Sequence, residues 1–139
     1  AAPRAPDGGP QAEEAVDRAG LAAQYGKKIE LLRLLTGEFA RTAPGCLSDL
    51  EAALRHRDME SLARLAHTLR GNAAMFGAGP LRRDAALAEE AAARGDAARV
   101  ARLVPLLAAD VKRTLDALAA FAAEYEPGPT FEPTRTDQG

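Results

Sequence analysis

The sequence predicts an all-α fold: an antiparallel up-down four-helix bundle with a short additional N-terminal helix. Three observations predict it. The composition is 47% hydrophobic, with Ala and Leu dominant and β-branched residues few, which favours helices packed on helices over a sheet. Apolar residues recur at helical spacing along four long segments. Gly, Pro and Asp punctuate short connections between those segments, so sequential helices run antiparallel. A length of 139 residues suits one domain.

The elements follow in order. Residues 1–16 are rich in Pro, Gly and Ala, bury little apolar surface and read as a flexible linker or arm. The bundle domain is expected over 17–125. Asp17 suits the N-cap of a short helix through Tyr25, ended by Gly26. From Lys28 the apolar positions are Ile29, Leu32, Leu35, Phe39, Leu47, Leu50 and Leu54, ending near His56. Pro44-Gly45 interrupts this run; proline removes a backbone donor and crowds the preceding turn, so a kink or brief break is expected there. Asp58 suits the next N-cap, with Glu60 in the first turn complementing the helix dipole. That helix ends at Phe76-Gly77. Gly77 and Gly79 make the turn, and Pro80 opens a helix with Leu81, Ala85, Leu87 or Ala88, and Ala92 on one stripe. Gly95 is the stop and Asp96 the cap of the last helix, from about Ala97 to Glu124, with Pro105 expected to bend it. Its core positions are Val100, Leu103, Leu107, Val111, Leu115, Leu118 and Phe121. Residues 126–139 are a polar, Pro-bearing flexible tail.

Composition excludes several functions. A net charge of −2 argues against nucleic-acid binding, which needs a basic face. Cys46, the single cysteine, reads as a small apolar helix residue. His56 and His67, the two histidines, lie eleven residues apart with no cysteine near, so no metal site is expected. No apolar run reaches the ~18 residues of a membrane span, and no signal peptide is visible, so this segment is expected to be cytoplasmic and out of contact with the membrane. No Gly-rich loop has phosphate-cradle spacing, and nothing resembles an ATP-binding domain.

The stretch 65–77, LAHTLRGNAAMFG, departs from a plain core pattern. On a helical wheel Leu62, Leu65, Ala66, Leu69, Ala73 and Phe76 share the core stripe. His67 falls about 140° from Leu62 and therefore faces solvent. Gly71 lies one turn further along the same outer face, flanked by Ala63 and Ala74, with Arg70 and Arg64 as cations to either side. A mid-helix Gly costs about 1 kcal/mol against Ala, a cost that close approach by a partner offsets. Neutral imidazole has a lone pair able to attack phosphorus, and Arg pairs strongly with phosphate. A convex face lacks the pocket and oriented partner that self-contained acid–base catalysis needs. The rest of such an active site is therefore expected on another protein. His56, between Arg55 and Arg57, reads as a solvated helix end. Glu89-Glu90 reads as helix surface, and Arg82-Arg83 as a solvated face or the rim of a docking surface.

The run from Ala66 to Ala78 resembles the signature of histidine-containing phosphotransfer (HPt) domains, roughly A-H-x-L-[KR]-G-[small]-[small]-x-x-[apolar]-G-[apolar]. Segments 29–58 and 81–89, with Arg94-Gly95-Asp96, resemble that family's flanking helices and turn, so the likeness covers about 100 residues. The resemblance implies a phosphorelay intermediate of two-component signalling. His67 would accept a phosphoryl group from the aspartate of one response-regulator receiver domain and pass it to another. Arg70, Gly71 and Asn72 would assist, with Asn72 standing where the family most often has Ser. Arg64, Ala63, Ala74 and Gly71 would form the docking face. Magnesium would come with the receiver, and this chain would bind no cofactor. The implied setting is a monomeric module without an ATP site of its own, C-terminal in a bacterial hybrid sensor histidine kinase tethered to the membrane, or a free-standing protein. Two other readings stay open. A kinase dimerisation domain usually carries an acidic residue after the histidine, where Thr68 stands here. A helical adaptor would dock receiver or kinase domains without phosphotransfer.

Overall fold

The computed structural model describes residues 13–125. Five helices follow one another: α1 (Arg18–Tyr25), α2 (Ile29–Arg55), α3 (Met59–Phe76), α4 (Gly79–Ala93) and α5 (Ala97–Glu124). Helix α2 packs on α3, α3 on α4, α4 on α5 and α5 back on α2, which closes a four-helix bundle; α1 rests against α2. The fold is the expected one.

Local chemistry sets the ends. Asp17, Asp58 and Asp96 cap α1, α3 and α5 by accepting from the backbone N–H of Gly20, Ser61 and Arg99. Gly77 closes α3 in the left-handed region at φ 62°, and Gly95 turns the chain into α5 at φ 73°. Gly79, read as part of the turn, is instead the first residue of α4, with Pro80 behind it in the first turn.

Of the kink or brief break expected at Pro44, the break does not occur. Helix α2 runs unbroken for 27 residues. Pro44, Gly45 and Ala40 all lie on its exposed side, so the carbonyl that proline leaves without a donor is open to water. Phe39, Ala43 and Leu50, each at most 3% exposed, hold the core face in register across the site. Helix α5 likewise continues through Pro105, which is exposed.

The core gathers the predicted stripes. Leu32, Leu50, Leu62, Leu69, Leu81, Leu107 and Leu118 are each at most 1% exposed, and each contributes roughly 2 kcal/mol by leaving water. Phe39 of α2 and Phe76 of α3 meet at 5.5 Å between ring centroids. Of the two alternatives on α4, Ala88 is the buried one.

The arm read over 1–16 falls only in part among the described residues. Residues 1–12 and the tail 126–139 lie outside the described residues, but Glu13–Val16 are laid on the bundle. Val16 is 2% exposed, the Asp17 N–H donates to the Gly77 carbonyl at 2.8 Å, and Glu13 pairs with Arg83 at 2.7 Å. One apolar side chain, invisible to a composition argument, fastens this segment over the α3–α4 turn.

Candidate functional site

Helix α3 turns Ala66, Leu69 and Ala73 inward and leaves His67 with 62% of its side chain exposed. The imidazole does not stand alone. Its Nδ1 lies 3.0 Å from Oε2 of Glu89 on α4. An Arg70 guanidinium nitrogen lies 3.2 Å from the same Nδ1, and another lies 3.4 Å from Oε1 of Glu89. Three side chains from two helices thus close a triangle.

The two contacts to Nδ1 ask for opposite tautomers: a carboxylate accepts a proton there, and a guanidinium donates one. The charge-assisted contact to Glu89 is the shorter, and Arg70 stands within ion-pair distance of the other carboxylate oxygen, which makes no hydrogen bond. Nδ1 therefore keeps the hydrogen and donates it to Glu89. The lone pair then sits on Nε2, at the open end of the ring. A carboxylate oriented in this way also stabilises the positive charge that develops when Nε2 forms a bond.

The remaining predicted residues divide by face. Gly71 is exposed one turn beyond His67, and a Cβ placed there meets nothing within 4 Å. The surface is therefore open at that point, not filled by the protein itself. Ala74 is exposed and borders a cleft with Asp17, Gly77, Ala78, Gly79 and Arg82. Ala63 is half-buried against the core. Arg64 and Asn72 lean toward α2. Arg64 donates to Ser61 Oγ at 3.3 Å and borders a cleft with His56 and Asp58. Asn72 lines a narrow cavity of about 80 Å³ with Leu35, Glu38, Phe39, Thr42, Met75 and Phe76. The structure therefore gathers His67, Arg70 and Gly71 on one face, with Asn72 and Arg64 on its flank.

Glu89 is the residue that sequence reasoning passed over. A signal for it exists: His67 and Glu89 are each eleven residues from Ala78, the centre of the α3–α4 turn. Antiparallel helices of equal rise bring equidistant residues side by side.

Other reactive groups are quiet. Burial pushes the Cys46 thiol up from its ordinary value, aided by Asp49, which keeps it protonated. Among the described residues, no three His, Cys, Asp or Glu side chains gather to hold a metal ion. No helix there is long and apolar enough to cross a membrane.

The family model for the Hpt domain matches residues 34–122, most of the bundle and all of the His67 face. The chain belongs to the Hpt domain family. No curated protein and no solved structure matches it. Hpt membership brings histidine phosphotransfer in two-component phosphorelays, with response-regulator receivers as the domains an Hpt domain meets.

Proposed function

We propose that this Hpt domain is a relay intermediate in which His67 carries the phosphoryl group between two receiver aspartates. The observation that carries the reading is the His67–Glu89 contact at 3.0 Å on an exposed face, which leaves Nε2 as the free nucleophile. The Nε2 lone pair forms a bond to the phosphorus of an aspartyl phosphate. The P–O bond to the aspartate breaks, and the carboxylate leaves with the electron pair. Nδ1 keeps its proton, and Glu89 balances the charge on the ring. Arg70, next to the ring, supplies cationic hydrogen-bond donors to the phosphoryl oxygens. Transfer onward reverses these steps on a second carboxylate. The receiver contributes the divalent ion and the acidic pocket, and the docking face is Gly71 with Ala74, Ala63, Arg64 and Asn72 around it. The module acts in the cytoplasm as a monomer.

The test is incubation with a panel of receiver domains carrying labelled aspartyl phosphate. His67→Gln is expected to abolish an acid-labile, base-stable label that the native chain acquires. If the native chain and His67→Gln both stay unlabelled across the panel, the relay reading gives way to that of a docking adaptor.

A further inference from the structure

Beside the His67 triangle, a cleft of about 280 Å³ is lined by Arg70, Gly79, Arg82, Arg83 and Ala86. Three arginines thus line one concavity in a chain whose net charge is −2. The helix register explains the clustering: Arg82 and Arg83 occupy the first turns of α4, opposite Ala74 and one turn above the level of Arg70. The acids that would neutralise them are few. Glu89 is held by His67 and Arg70, and Asp84 is nearly buried, 3.6 Å from Arg83. Arg82 is exposed and has no ion-pair partner among the described residues.

One carboxylate does reach Arg83. Glu13, from the segment laid over the α3–α4 turn, accepts from Arg83 at 2.7 Å, and its other oxygen lies 3.2 Å from where a Cβ of Gly79 would stand. This contact raises the Arg83 pKa further. Arg83, at the cleft, thus already pairs with a carboxylate brought in on a separate piece of chain. Glu13 pairs with Arg83 and leaves Arg82 without an ion-pair partner among the described residues.

We propose that this arginine cleft docks an acidic segment of the partner receiver domain, and that Glu13 competes with that segment for Arg83. The inference rests on the relay reading for the identity of the partner. Charges at the rim of an interface act mainly on association rate and on its salt dependence, so the cleft steers the partner toward His67 and sets which acidic rims are accepted.

Two measurements on the full chain test it. In the first, a short polyglutamate peptide is titrated into isotope-labelled protein and followed by NMR. Resonances of Arg70, Arg82 and Arg83 are expected to move, and the response to vanish in high salt. Arg82→Glu should weaken the binding about tenfold, and Glu13→Gln should strengthen it about threefold. Shifts as large at Arg55 and Arg57, at the opposite end of the bundle, or no shift at all, would overturn the proposal. In the second, labelling from a phosphorylated receiver should slow about tenfold in Arg82→Glu at low salt, with phosphohistidine lifetime unchanged. Native-speed labelling of that variant removes the docking role and leaves the relay intact. A native chain that no receiver labels removes the relay, while the peptide titration still decides the chemistry of the cleft.

Discussion

Asp110 is 3% exposed in α5, where it meets Asp84 of α4. Its Oδ1 accepts from Arg113 at 2.6 Å, while Oδ2 is buried without a partner. Burial, reinforced by the Asp84 carboxyl, raises its pKa from 3.8 to about 6 against the opposing pull of Arg113. The folded state therefore holds this proton more tightly than the unfolded chain. The resulting stability is complete below about 3.8 and is lost as pH rises through about 6. A shift of that size is worth about 3 kcal/mol, with little solvent at the carboxyl to screen it. Asp110→Asn reproduces the protonated shape at every pH, because its amide N–H can donate to Asp84 where the carboxylate cannot. It gives up the pair with Arg113, whose side chain is 57% exposed, at a cost below about 1 kcal/mol. The variant should therefore be more stable by about 2 kcal/mol near neutral pH, with the gain gone below about pH 4. Urea unfolding followed by far-UV circular dichroism across that range measures it. A stability difference independent of pH, or a variant less stable at neutral pH, would refute the reasoning and mean that Asp110 is an ordinary ionised partner of Arg113.

Further predictions concern the face itself. Gly71→Ala should raise stability in thermal melts by up to ~1 kcal/mol, since its Cβ meets nothing; Gly71→Leu should fold equally well yet slow phosphotransfer, and undiminished transfer would remove the docking role. Gly77→Ala should lower stability by about 1–2 kcal/mol, because φ is 62° and the new Cβ would stand 3.1 Å from Asp17 Cβ. Arg70→Ala should leave the circular dichroism spectrum unchanged and shorten the lifetime of the phosphohistidine at fixed pH.

The parts of this molecule that could be read from the sequence are those governed by local rules. Three aspartate caps, two left-handed glycines and the α3 stripe each depend on residues within a few positions of one another, and all stand where the pattern put them. Exposure of His67 followed from the same periodicity. What the pattern missed depends on tertiary partners. Pro44 would break an isolated helix, but packing on both sides of it carries α2 through. Val16 was read as part of the Pro-, Gly- and Ala-rich arm because composition averages over neighbours, whereas burial is decided by a single side chain. Glu89 looked like solvated surface because its partner is on another helix, 22 positions away. Asn72 was assigned by the family resemblance and Arg64 by the wheel, and both stand on the α2 flank of the His67 face.

His67, the open position at Gly71 and the arginine cleft all lie on one side of one helix hairpin. In the proposed relay, donor and acceptor must therefore take turns on the same ground. Such traffic is ping-pong: no ternary complex forms, and each partner in its spent form is a competitive inhibitor of the other. The rate of the relay then depends on how quickly the first partner leaves as much as on the chemistry at Nε2. Tighter docking would not serve such a module, because every gain in residence time for one partner is a loss of access for the next.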